Sequence, residues 1–200
     1  MNSFQGGENT LRIKLYIACS LDGYIAREKA FYQILLLSNP PCLDGYIARE
    51  KGSIDWLTEY ENNSETDYGY SEFYASIGTV LMGRKTYEQV LGFGDWPYAE
   101  KKTCVFTRQK EPLRREKNVE FVSRDIGEFV RLLKENTDED IWLVGGSQLI
   151  KVFLEEALVE DMIVFIVPII LGSGIPLFDR IGKQINLVLR FRNMFIKLEF

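Results

Sequence analysis

The residues best suited to chemistry gather where an apolar run gives way to glycine, a hydroxyl or a cation. In Val80-Leu81-Met82-Gly83-Arg84-Lys85-Thr86-Tyr87 an extended run ends at glycine, two cations follow and a helix opens. Helix N–H groups beside Arg84 and Lys85 suit a phosphate, although a tight turn with solvated cations reads the same way. In Trp142-Leu143-Val144-Gly145-Gly146-Ser147-Gln148 two glycines let a backbone approach a pyrophosphate closely, again before a helix, or simply make a turn. The third glycine of GxGxxG is missing, so a dinucleotide site of that type is not predicted. Val105-Phe106-Thr107-Arg108 ends a strand with a hydroxyl and a cation and, alone, reads first as a solvated loop. Leu171-Gly172-Ser173-Gly174-Ile175-Pro176 lacks the ending of a P-loop and reads as a turn before it reads as a ligand contact.

Asp22, Asp44 and Asp55 follow the first strand and are the candidates for proton transfer. An acid beside apolar Trp56 is the kind that holds its proton long enough to donate it; a solvated loop acid is the plainer reading of each. The chain has no histidine, which excludes Ser-His-Asp and Cys-His catalysis and imidazole-ligated metals. No metal-ligand spacing occurs. Cys19, Cys42 and Cys104 are odd in number and far apart, so they read as reduced, buried thiols of an intracellular protein. Net charge is −5 with cations scattered among acids, which argues against general nucleic-acid binding.

These residues need a framework, and 200 residues that are 46% hydrophobic supply one domain with a sizeable core. Residues 1–10 read as a polar, frayed tail without a secretory signal, and no apolar run reaches the length of a membrane span. Apolar alternation predicts a first strand over residues 11–18, and further strands over 79–82, 103–107, 119–122, 141–144 and 162–167. Helices are predicted over 86–90, from Asp125 as cap through Leu133, and over 147–157; residues 185–191 and 195–200 suggest a closing hairpin. Alternating strands and helices predict an α/β domain over residues 11–200, with a mostly parallel central sheet and a C-terminal antiparallel hairpin.

One feature interrupts this order. Leu21-Asp22-Gly23-Tyr24-Ile25-Ala26-Arg27-Glu28-Lys29 recurs letter for letter as residues 43–51, a tandem duplication with an offset of 22 residues. Two copies without a further period do not make a solenoid. One copy reads as functional and the other as an insertion into a surface loop, which chain entropy tolerates.

Taken in order, the Gly83-Arg84-Lys85-Thr86 segment, the Gly145-Gly146-Ser147 turn and Val167-Pro168-Ile169-Ile170-Leu171-Gly172-Ser173-Gly174 resemble the dihydrofolate-reductase-like superfamily. Ser20-Leu21-Asp22-Gly23-Tyr24-Ile25-Ala26, with Asp55-Trp56-Leu57, is most similar to one branch: the C-terminal reductase domain of the bifunctional riboflavin-biosynthesis deaminase-reductase and its stand-alone relatives. The resemblance implies a three-layer fold and NADPH as cofactor. It implies that Gly83, Arg84, Lys85 and Thr86 hold the 2′-phosphate and pyrophosphate, and that Thr107 and Arg108 face the adenine ribose. Gly145, Gly146, Ser147 and Leu149 then meet the nicotinamide half, with Ala18 against its amide, and the Gly-Gly turn is often joined by a cis peptide. The chemistry implied is hydride transfer to a small pterin- or pyrimidine-like substrate, as in 5-amino-6-(5-phosphoribosylamino)uracil reductase, in a cytoplasmic homodimer. Asp22, Asp44 and Asp55 are the implied catalytic acids and Trp56 a substrate contact. Only one copy of the repeat can occupy the site; the first strand runs directly into Asp22, which favours it for the cofactor side. The alternatives are a non-catalytic nucleotide-binding protein on the same scaffold, or dihydrofolate reduction proper. No threonine occurs over residues 162–167, which points away from dihydrofolate.

Overall fold

The computed structural model describes residues 11–20, 46–48, 50, 67, 69–109, 116–167 and 170–188. The tail over residues 1–10, most of the duplicated loop and residues 189–200 lie outside them.

Alternation builds the first strand, β1 (Ile13–Ser20). Ile13, Leu15, Ile17 and Cys19 turn to one face, and Tyr16 to the other. Next come β2 (Tyr46–Ala48), α1 (Tyr70–Ser76), β3 (Ile77–Gly83), α2 (Arg84–Leu91), β4 (Lys102–Phe106) and β5 (Val119–Val122). The chain then forms α3 (Ile126–Lys134), β6 (Asp140–Gly145), α4 (Ser147–Glu155), β7 (Asp161–Val167) and β8 (Ile175–Pro176). The six long strands form one sheet in the order β5-β4-β3-β6-β1-β7, and every neighbouring pair is parallel. Strands of such a sheet are covered on both faces, which explains the unbroken apolar runs in β3, β4 and β6.

The two covering layers differ in chemistry. On one face Phe129, Val130 and Leu133 of α3 and Ile150, Phe153 and Leu154 of α4 make a largely aliphatic core with Leu15, Leu81 and Leu143. On the other face α1 and α2 bring Tyr70, Phe73 and Tyr87 to Tyr16, Tyr98, Trp142 and Phe165. There the Tyr16 ring stacks on Phe73 at 4.1 Å between centroids. Trp142 Nε1 donates to the Tyr16 carbonyl at 3.2 Å. The Tyr16 hydroxyl is buried without a hydrogen-bond partner, and burial pushes its pKa up to about 12.

The amino end of β1 is fixed by acids from its neighbours. Arg12 N–H donates to Asp140 at 3.0 Å, Ile13 N–H donates to Glu160 at 2.7 Å, and the Arg12 guanidinium pairs with Asp161 at 2.9 Å. These contacts hold β1 in register between β6 and β7.

The predicted strands are present with shifted ends: 11–18 becomes Ile13–Ser20, and 103–107 becomes Lys102–Phe106. Asp125 caps α3 by accepting from Glu128 N–H at 2.9 Å. Two features were not expected. The first is α1, whose Tyr70 and Phe73 are three residues apart and whose preceding Asp67 accepts from Gly69 N–H and Ser71 N–H. The second is the antiparallel pairing of β2 with β8. Within the expected hairpin, residues 185–188 form no strand, and the remainder lies outside the described residues. Cys19 and Cys104 are buried, and Cys42 falls outside the described residues.

Candidate functional site

The strand order sets up the site. From β3 the chain moves outward to β4 and β5, then returns to lay β6 between β3 and β1. At such a reversal the connections leave in opposite directions and open a crevice beyond the carboxyl ends of the strands. The glycine-bearing ends of β3 and β6 lie there side by side, with Met82 opposite Gly145 in register.

Gly83 is the N-cap of α2 and Gly146 the N-cap of α4, so two helices begin on adjacent strands at one edge. Neither has a side-chain cap or an acid in its first turn. By contrast, α3 carries Asp125 as cap and Glu128 in its first turn. The positive ends of α2 and α4 therefore remain suited to an anion, whereas that of α3 is already complemented.

The two junctions touch. Gly146 N–H donates to Thr86 Oγ1 at 3.0 Å, joining the start of α4 to the first turn of α2 across 60 residues of sequence. Gly145 has φ of 127°, a conformation natural to glycine alone, and the Gly145–Gly146 peptide is cis. A Cβ on Gly146 would stand 3.3 Å from the Thr86 oxygen, so a side chain there would press on the clasp.

Cations and hydroxyls surround it. Lys85 is exposed, and Arg84, 19% exposed at its side chain, pairs through Nε with Glu88 Oε1 at 2.5 Å. One strand outward, Phe106 lies beside Gly83, bringing Thr107 and Arg108 to the same edge. Thr107 N–H donates to Val122 at 2.9 Å, and its hydroxyl accepts from Gln109 N–H at 3.1 Å; Arg108 is exposed. One strand inward, Ala18 is 7% exposed beside Phe165 of β7. Ser147 opens α4 half-buried. Leu149 is 8% exposed and packs into the aliphatic core, while its N–H donates to the Gly146 carbonyl at 2.9 Å.

The structure thus brings Gly83, Arg84, Lys85, Thr86, Thr107, Arg108, Gly145, Gly146, Ser147 and Ala18 to one edge over four neighbouring strands. It turns the Leu149 side chain inward instead. Asp22, Asp44, Asp55 and Trp56 lie outside the described residues. The second copy of the repeat is represented by Tyr46–Ala48, which pairs with Ile175–Pro176 just after Gly172-Ser173-Gly174. Sequence reasoning took that glycine loop for a turn and missed that it delivers a strand to the duplicated segment. It also missed Glu88, although the four-residue spacing from Arg84 was there to be read. Among the described residues no group of three His, Cys, Asp or Glu could hold a metal, and no helix is long and apolar enough to cross a membrane.

Fold and edge together define a dihydrofolate-reductase-like α/β protein. Over 86% of this chain and 79% of the other, the fold matches dihydrofolate reductase from Enterococcus faecalis complexed with NADP(H), with a TM-score of 0.53 at 15% identity. The chain belongs to the RibD C-terminal domain family, whose model matches residues 96–195. It is 40% identical over 182 residues to the uncharacterized protein YwjB of Bacillus subtilis (strain 168), covering 90% of each. A protein from Shewanella sp. PV-4 assigned to riboflavin biosynthesis superposes with a TM-score of 0.70 at 27% identity, over 87% of this chain and 86% of that one. A deaminase/5-amino-6-(5-phosphoribosylamino)uracil reductase from Thermotoga maritima superposes with a TM-score of 0.54 at 19% identity, over 90% of this chain and 51% of the other.

Proposed function

We propose that the protein is an NADPH-dependent reductase of a small pterin- or pyrimidine-like substrate, most like a 5-amino-6-(5-phosphoribosylamino)uracil reductase. The observation that carries this reading is the Thr86–Gly146 clasp, which joins two uncapped helix starts at the sheet's reversal point in a chain of this family. The donor set fits a phosphorylated dinucleotide: helix N–H groups and cations without a first-turn acid, beside glycines that let a ring approach the backbone.

NADPH, when bound, supplies the hydride. The chain supplies position, charge and a proton. Arg84 and Lys85, with Thr107 and Arg108 one strand away, receive the phosphorylated end. Gly145, Gly146, Ser147 and Ala18 receive the nicotinamide end, and Thr86 holds the turn between the two ends. Leu149 serves through packing, since it fixes α4 against the sheet. Trp56 and an acid from the loop after β1 face the substrate. The pairing of the second repeat copy with β8 supports Asp44 over Asp22 as that acid, with Asp55 on the same tether. This choice departs from the order in which the chain leaves β1 and rests on the strand that Tyr46–Ala48 of the second copy forms. The same resemblance supports a homodimer in the cytoplasm.

Two measurements test the reading. Titration with NADPH should quench tryptophan fluorescence with saturation in the micromolar range, and 340 nm absorbance should fall when 5-amino-6-(5-phosphoribosylamino)uracil is added. Absence of quenching at high micromolar NADPH rejects the cofactor assignment. Of the paired variants, Asp44→Asn should abolish turnover and Asp22→Asn should spare it; the opposite pattern returns the acid to the first copy. The duplicated loop favours a second reading, nucleotide binding without turnover, which saturable quenching without any absorbance change would establish.

A further inference from the structure

We infer that Glu88 sets cofactor choice, by competing with the 2′-phosphate of NADPH for Arg84. The inference rests on the proposed NADPH reading and concerns the regulation of that same edge. Arg84 is the first residue of α2, on the strand end that meets the Gly-Gly turn. Its Nε is engaged by Glu88 at 2.5 Å. The guanidinium and the carboxylate together carry no net charge, so an arriving phosphate meets a neutral pair where the sequence suggests a cation. To gain Arg84, the phosphate must share it with a carboxylate or displace that carboxylate, and the two anions repel at short range.

Two features make Glu88 a competitor and not a brace that presets Arg84. The pair has the i,i+4 spacing that any helix carrying these residues brings together, so it forms whether or not a ligand site exists. The Glu88 side chain is also 38% exposed, and no hydrogen bond from another element fixes it among the bonds of the described residues. NADH, which lacks the 2′-phosphate, offers Arg84 only the pyrophosphate that NADPH offers as well, so the pair weighs less on its binding. Glu88 therefore lowers the advantage of NADPH over NADH.

The experiment compares dissociation constants of NADPH and NADH, by fluorescence titration, for the full chain, Glu88→Gln, Arg84→Ala and the double variant. Glu88→Gln is expected to raise the NADPH-over-NADH affinity ratio by roughly threefold or more, as expected for relief of one short-range charge pair. In the Arg84→Ala background the same change should leave the ratio within about a factor of two, because the contested group is gone. A ratio that falls with Glu88→Gln identifies Glu88 as a brace and overturns the inference. So does an unchanged ratio, and so does an equal rise with Arg84 absent, which assigns the effect to direct repulsion. Failure of the unaltered chain to bind either dinucleotide is a separate result that removes the NADPH reading itself.

Discussion

Excising residues 21–42 should stabilise the protein. Because the two copies are identical over nine residues, removing 21–42 or 30–51 yields one and the same chain, in which Ser20 runs into Leu-Asp-Gly-Tyr and on to Gly52. In the full chain, residues 21–45 separate the end of β1 at Ser20 from the start of β2 at Tyr46, and after excision only Leu43-Asp44-Gly45 remain between them. β2 lies beside β1, so a link this short still spans the gap. Loop closure scales as three-halves RT times the logarithm of loop length, so shortening the loop about eightfold is worth about 2 kcal/mol. For a domain of this size that corresponds to a rise in Tm of about 4–8 °C. Thermal unfolding followed by circular dichroism, with urea midpoints as the second measure, reads the change. An unchanged or lowered Tm refutes the reasoning: it means that the excised residues make contacts worth at least as much as the chain entropy they consume.

Two further predictions concern the site and the core. Thr86→Ala removes the acceptor of Gly146 N–H and should destabilise by about 1–2 kcal/mol, with Thr86→Ser restoring most of it; equal stabilities in denaturant would show that the clasp contributes nothing. Burial pushes the Cys104 thiol up to about 12, and Tyr16 likewise to about 12. Both pKa values are raised on folding, so the stability they contribute is complete below the unfolded values, near 9 for the thiol and 10 for the phenol, and is lost as pH rises through 12. Urea midpoints should therefore fall across pH 9–12, and Cys104→Ala should flatten the lower part of that fall; an unaltered slope removes the thiol as its cause.

Much of the sheet was legible because its strands are buried on both faces. Residues such as Val80, Leu81 and Met82, or Ile141, Trp142 and Leu143, must be apolar in succession, and glycine marks where each strand stops. The edge was legible for the same reason: Gly83 and Gly145 end neighbouring strands, so their glycines appear in sequence as punctuation. The contact between those glycine turns was not legible, since the strand order that sets β6 beside β3 is a property of the whole sheet. α1 was missed because a seven-residue helix rich in tyrosine, serine and phenylalanine has weak helical preference, and what stabilises it is the aromatic layer beneath. β2 and β8 escaped because segments of two and three residues carry no period at all. Leu149 illustrates a different failure: proximity to the Gly-Gly turn suggested a ligand contact, but its place on the helix turns it inward.

The placement of β1 has a consequence for biosynthesis. Its partners, β6 and β7, lie well over a hundred residues later, since Ile13 is opposite Ile141 and Lys14 is opposite Asp161. A ribosome adding ~5–20 residues per second leaves this strand unmatched for roughly 6–26 s while the outer half of the sheet can already assemble. Throughout that interval Ile13, Leu15 and Ile17 are exposed on a nascent chain with both strand edges open, the condition under which trigger-type chaperones are needed and neighbouring polysomal chains stick together.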